Sequence, residues 1–240
     1  MNILVTGVSK GVGLEIIKVL LAEGHVVYGI SRSRANEFTA LLFKYPNNFH
    51  HLQYDLGDVS NVTEVVFKKF INNKVPIHGY VNNAALAYDD IITNLNNVQL
   101  EKMFSVNTFT PMMMVKYVIR NMIVNRIEGS ILHMSSISVH TGYKGLAMYA
   151  ASKGALEAFS KNTSREWGTK GIRSNCIVAG FMETSMSSTL SDEQKNRIYQ
   201  RTSLKQATNI NSVAETISFL LSEKAKSITG QNIFIDNGTI

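Results

Sequence analysis

The chain has 240 residues, 45% hydrophobic and 18% charged, enough to bury a sizeable core within one α/β domain. Its net charge of +6 comes from 24 basic and 18 acidic residues. The cations are scattered, with no run beyond Lys68-Lys69 and no nucleic-acid module, so nucleic acid is not an expected partner. The lone cysteine, Cys176, excludes an internal disulfide, and the run Cys176-Ile177-Val178 places it in a core.

No apolar run approaches membrane-spanning length, and Asn2 to Val5 enter a glycine turn without a basic flank. No membrane association and a cytoplasmic, reducing location are therefore expected. His50 and His51 are adjacent, but no histidine joins a spacing that marks a metal site, and no metal is expected.

Short apolar runs alternate with longer amphipathic segments, giving predicted strands near 2–6, 25–31, 49–54, 78–83, 130–135, 172–178 and 232–236 with helices between most of them. That rhythm predicts a seven-stranded parallel sheet covered by helices on both faces, a doubly wound Rossmann-type α/β fold. With three prolines, no low-complexity run and no repeat, residues 1–240 read as a single domain. Ligands of such sheets bind outside the carboxyl ends of the strands.

The first strand runs into Thr6-Gly7-Val8-Ser9-Lys10-Gly11-Val12-Gly13, followed by a helical pattern at Leu14, Ile17, Leu20 and Leu21. Glycines let a backbone turn sharply and approach a pyrophosphate, which meets the free N–H groups and positive end of the helix. At the end of the second strand, where a carboxylate would hold the 2′-hydroxyl of NAD, the sequence reads Ser31-Arg32-Ser33-Arg34. Arg32 offers a planar fork to a 2′-phosphate and Lys10 a second charge, so the expected cofactor is NADP(H).

The apolar strand Ile131 to Met134 leads to Ser135-Ser136, and a glycine-dotted loop leads on to Tyr149-Ala-Ala-Ser152-Lys153. Residues four apart share one helix face, which brings the Lys153 ammonium to the surroundings of the Tyr149 phenol. A cation there favours the phenolate over a free value of about 10. Ser136 supplies a hydroxyl donor where negative charge develops on a carbonyl oxygen. Such a site protonates an alkoxide or deprotonates an alcohol. Taken alone, a Tyr-x-x-x-Lys pair is common in soluble helices, and it gains weight here from the glycine turn.

Jointly these motifs are similar to those of the short-chain dehydrogenase/reductase family, and within it to the 3-oxoacyl-[acyl-carrier-protein] reductases, over essentially the whole chain. Asp55-Leu56 match the family's adenine-contacting pair, and Asn82-Asn83-Ala84-Ala85 the segment lining the cofactor. Asn107, Ser136, Tyr149 and Lys153 match the catalytic tetrad, and Met182 and Thr184 the nicotinamide-contacting positions. The resemblance thus implies cofactor contacts from Gly7, Ser9, Lys10, Gly11, Val12, Gly13, Ser31, Arg32, Asp55, Leu56, Asn83, Ala84, Ala85, Tyr149, Lys153, Met182 and Thr184. It implies a substrate-side region at about 181–210, whose Ser185 to Lys195 resemble a mobile segment. Ala85 and Ala179 depart from the family's usual glycine and proline.

The implied reaction is hydride transfer to a ketone, with Tyr149 protonating the alkoxide, Ser136 holding the oxygen and Lys153 binding the ribose while lowering the Tyr149 pKa. Asn107 would support a water chain. The implied substrate is a 3-oxoacyl thioester on acyl carrier protein. A polyketide, sugar or other small ketone is the alternative within the enzymes, and a non-catalytic NADPH-binding protein the alternative outside them.

Three further expectations follow. Lys170 and Arg126 are candidates to dock an acidic carrier beside the entrance. A homotetramer is implied by the family, with surplus apolar surface on 98–124 and 149–167, including Met112-Met113-Met114, Phe159 and Trp167. Pro111, inside an apparent single helix from Val98 to Val124, should kink it and free the Asn107 carbonyl to hold a water near Lys153, unless it starts a new helix.

Overall fold

A computed structural model describes the chain apart from residues 73–74, 185–186 and 188–189. Seven strands, β1 (Asn2–Thr6), β2 (Val26–Ser31), β3 (Phe49–Gln53), β4 (Gly79–Asn82), β5 (Ser130–Ser136), β6 (Arg173–Ala179) and β7 (Asn232–Ile235), form one parallel sheet. The order is β3-β2-β1-β4-β5-β6-β7, so the direction of winding reverses between β1 and β4, and a crevice opens outside their carboxyl ends.

Both faces are buried because the strand side chains alternate between two cores. Ile3, Val5, Leu132 and Ile177 pack under α1 (Gly11–Ala22), α2 (Asn36–Lys44) and α8 (Ile210–Leu221). Leu4, Tyr80 and Ile131 pack under a π-type helix over Thr63–Phe70 and under α4 (Thr110–Asn125) and α6 (Ala147–Trp167). Met114 lies within this second core, with Phe159 and Trp167 packed against it.

The predicted helix over 98–124 is broken. α3 (Asn97–Phe104), capped by the Asn96 side chain, passes into a π turn over Ser105–Phe109, and Thr110 N–H donates to the Ser105 carbonyl. Pro111 then sits in the first turn of α4. A proline cannot donate and crowds the preceding turn, so a widened turn ahead of it and a fresh helix start satisfy the chain better than a kinked continuous helix. The same turn buries Asn107 completely.

The end of β5 is tied to its surroundings by Glu157 on α6. Its carboxylate accepts from the Ser135 hydroxyl, from Asn232 Nδ2 on β7 at 2.6 Å, and lies 3.2 Å from His140 Nε2 on α5 (Ser138–Thr141). Removing it leaves the buried Ser135 hydroxyl without its acceptor and frees the more exposed His140 and Asn232 donors, so Glu157→Ala is expected to lower the unfolding free energy by about 1–2 kcal/mol, and Glu157→Gln by less. Chemical denaturation measures this; a loss of less than about 0.5 kcal/mol would show that these elements are held by other contacts.

Candidate active site

The turn after β1 is compressed to a degree only glycine permits. Gly7 has φ +74°, and a Cβ on it would stand 2.8 Å from Ala84 Cα; a Cβ on Gly13 would stand 2.0 Å from the Gly7 carbonyl oxygen. Thr6 Oγ1 accepts the N–H groups of Asn83 and Ala84 at 3.1 Å, and Asn83 Nδ2 donates to the Thr6 and Gly7 carbonyls at 3.0 Å. The carboxyl ends of β1 and β4 are thereby locked together at the topological switch. α1 begins at Gly11 with no side-chain cap, which leaves its first N–H groups and dipole available to an anion in the crevice.

That crevice holds a cleft of about 300 Å³. Gly7, Ser9, Lys10, Gly11, Val12, Gly13, Ser31, Arg32, Asp55, Leu56, Asn83, Ala84, Ala85, Tyr149, Lys153, Met182 and Thr184 all line it, bringing together every residue expected to contact cofactor. An extended, phosphate-bearing dinucleotide fits these walls: a glycine cradle and open helix start lie at the turn, two bases at one end, and a phenol and an ammonium at the other.

Sequence reasoning missed Ser33, Tyr54, Leu86, Val106, Met134 and Ser135, which also line the cleft. Ser33, Tyr54, Leu86, Met134 and Ser135 adjoin or nearly adjoin residues that the motifs picked out. Val106 adjoins Asn107, but it is the π turn that puts it on the cleft wall.

Ser136 closes β5, and its Oγ accepts from the N–H and hydroxyl of Ser138 at 3.2 and 3.0 Å. The chain crosses Gly142 and Gly145, both at positive φ, and enters α6, with Tyr149 in the first turn and Lys153 one turn later. The Ser136 hydroxyl lies near enough to the Tyr149 phenol to favour its ionised form. Lys153 is 1% exposed; its Nζ donates to the Met134 carbonyl at 2.7 Å and lies 5.8 Å from the centre of the Tyr149 ring.

Burial dominates the titration of this pair. It pushes the Tyr149 phenol up to about 12, with the Asp89 carboxylate adding to the rise and the Ser136 hydroxyl opposing it. It pulls the Lys153 ammonium down to about 8. The expected lowering of Tyr149 by Lys153 is therefore reversed in the chain by itself, because the ammonium is turned to a backbone carbonyl and desolvation outweighs charge at that distance.

Asn107 does not reach the cleft. Its amide pairs with the Leu86 backbone, Oδ1 accepting and Nδ2 donating at 2.8 Å, and Nδ2 also lies 3.0 Å from Ser152 Oγ. Lys170 and Arg126 also depart from expectation. They follow α6 and α4, just before β6 and β5 begin. Because α4 and α6 run back across the sheet, both cations lie at the amino edge, away from the cleft of the same chain. Of the expected mobile segment 185–195, Ser185, Met186, Ser188 and Thr189 lie outside the described residues; α7 (Asp192–Tyr199) starts from a capping box at Ser191 and Gln194.

A family profile described as Enoyl-(Acyl carrier protein) reductase matches residues 7–239. L-xylulose reductase of Caenorhabditis elegans is 32% identical, the match covering 99% of this chain and 94% of that one. 3-oxoacyl-[acyl-carrier-protein] reductase of Chlamydia pneumoniae is 31% identical over 99% of this chain and 96% of its own. The solved structure of ElxO with NADP bound is similar at a TM-score of 0.88 and 25% identity, covering 99% of this chain and 98% of that one. A profile spanning nearly the whole chain, full-length relatives above 30% identity and a shared doubly wound fold make this protein a member of the short-chain dehydrogenase/reductase family of oxidoreductases.

Proposed function

We propose that the protein is an NADPH-dependent ketone reductase whose substrate is a 3-oxoacyl thioester on acyl carrier protein. The observation that carries the reading is a partly buried phenol beside a buried ammonium, in a cleft that Arg32 and Lys10 also line and that has no carboxylate at the tip of β2. The 3-oxoacyl part is supported by the Chlamydia pneumoniae relative, whose name states that activity.

The turn from Gly7 to Gly13 and the start of α1 would hold the pyrophosphate, Arg32 with Lys10 the 2′-phosphate, and Asp55-Leu56 the adenine. Met182 and Thr184 would line the nicotinamide end. When bound, NADPH supplies the hydride that reduces the ketone carbon. Ser136 donates to the carbonyl oxygen as charge develops there, and Tyr149 gives it the phenolic proton, so that the C–O⁻ leaves as an alcohol. Lys153 holds the ribose and lies on the route by which the phenolate recovers a proton from solvent. Asn107 acts by position, clamping the Leu86 loop to Ser152 beside Lys153.

A second reading, reduction of a ketose or other small ketone, is favoured by the L-xylulose reductase relative at 32% identity. Cytoplasmic location and a homotetramer belong to the proposal. Exposed Phe109 and Val124, near the two ends of α4, supply apolar surface for a partner copy.

An NADPH-oxidation screen tests the substrate. Acetoacetyl carrier protein should be reduced with a higher kcat/KM than free β-keto esters or ketopentoses; preference for a ketopentose would favour the second reading, and no oxidation of NADPH with any of them would sink both.

Cofactor choice is testable separately. NADPH should exceed NADH in kcat/KM by about one to two orders of magnitude, and Arg32→Ala should remove most of that difference, since a charge-assisted hydrogen bond contributes about 1.5–3 kcal/mol.

The pH profile of kcat/KM for NADPH reports groups on the free enzyme. Tyr149 stays protonated to about 12, while Lys153 loses its proton through about pH 8. The expected profile for reduction is flat below about pH 8 and falls above it as the ammonium is lost. A profile that holds level to pH 10 would remove Lys153 from cofactor binding.

A further inference from the structure

The tip of β2 is shaped by a residue of another strand. His51 on β3 lies beside Ser31, with Nε2 2.9 Å from Ser31 Oγ, while Arg34 Nε donates to His51 Nδ1 at 3.1 Å. Ser31 Oγ in turn donates to the Ser33 carbonyl at 2.9 Å. The directions of these bonds are forced. A guanidinium N–H can only donate, so Nδ1 accepts and the imidazole proton sits on Nε2. Nε2–H then donates to Ser31 Oγ, whose own proton goes to Ser33. Burial, and then the Arg34 charge, hold the His51 pKa down to about 4, so this neutral tautomer persists at neutral pH.

The chain of bonds has two consequences for the cleft. Ser31 is 5% exposed, and its one hydroxyl hydrogen is given to the Ser33 carbonyl, so it has no hydrogen left for a ribose and can meet one only as an acceptor. Arg34, the second guanidinium of the tip, is held on His51, while Arg32 between them is exposed and lines the cleft. The His51 ring is itself seated edge-on against Phe38 at 4.7 Å, and Phe38 is completely buried. The anchor is thus rigid on the core side and reaches the loop through a single imidazole.

We infer that His51 is a positioning residue for cofactor specificity: by closing the Arg34–His51–Ser31–Ser33 chain it fixes the turn that presents Arg32 to a 2′-phosphate. The inference rests on the NADPH reading above and names a residue that does not itself line the cleft. Fixing the turn in advance removes the entropy cost of ordering its backbone when Arg32 engages a ligand, a saving that only a cofactor with a 2′-phosphate receives.

His51→Phe preserves the ring against Phe38 and deletes both hydrogen bonds. It should lower the ratio of kcat/KM for NADPH to that for NADH about tenfold, through KM for NADPH, with kcat at saturating NADPH little changed. His51→Gln, which keeps an amide donor for Ser31, should restore part of the ratio. In an Arg32→Ala background the same His51→Phe change should alter the ratio by less than about twofold, because its route of action is gone.

An unchanged ratio in His51→Phe, with NADPH still preferred by the unmodified protein, overturns this inference alone. So does an equal fall with and without Arg32. Equal kcat/KM for the two cofactors in the unmodified protein overturns the NADPH reading and the inference with it. Should His51→Phe not fold, ¹⁵N shifts of the His51 ring in the unmodified protein decide: a neutral ring protonated on Nε2 supports the chain of bonds, and protonation on Nδ1 overturns it.

Discussion

A single buried ammonium sets the terms for the rest of this site. Lys153 is almost entirely removed from water and its charge is met by a backbone carbonyl of β5. Lowering an amine from 10.5 to about 8 corresponds to roughly 3 kcal/mol of disfavour for the charged form. Because the folded value lies below the unfolded one, the fold carries this penalty in full below about pH 8 and sheds it as pH rises towards 10.5. A cost of that size at a fixed position is tolerated where the group does chemistry, and a negatively charged, hydroxyl-rich cofactor would offset it on binding.

The protein holds that charge in register through polar clamps rather than apolar packing alone. Thr6 and Asn83 join the ends of β1 and β4, Asn107 joins the following loop to Ser152, and Glu157 joins β5, α5 and β7 to α6. Each clamp uses a buried amide, hydroxyl or carboxylate whose donors and acceptors are matched by groups on another element. The cleft lies where these clamps converge, at the edge of the sheet where strand order reverses. Rigidity of this kind aligns Ser136, Tyr149 and Lys153 before any ligand arrives.

The π turn before α4 belongs to the same design. By taking up one extra residue it turns Asn107 inward and puts Val106 on the cleft wall, and it lets Pro111 begin a helix where its missing N–H costs little. A straight α-helix through this segment would point a different set of residues at the cleft.

Much of this was legible in the sequence. Alternating apolar runs dictated a parallel sheet with both faces covered, since only such strands are apolar on both sides. The spacing Gly7, Gly11, Gly13 marked a sharp turn open to a pyrophosphate. Tyr149 and Lys153, four apart, had to share a helix face, and the absence of a carboxylate at Ser31 was visible as a letter. What tertiary structure alone decided were the quantities and partnerships that depend on residues far apart in the chain. The direction of the Tyr149 shift is one, because desolvation is set by packing and outweighed the charge that spacing had suggested. The placing of Arg126 and Lys170 at the wrong end of the sheet is another, because it follows from which way α4 and α6 run. His51 beside Ser31, Glu157 between three elements, and the π turn at Asn107 complete the set: each is a hydrogen-bonding choice made between segments tens of residues apart or within a helix whose local pattern reads as uninterrupted, and local periodicity carries no information about either.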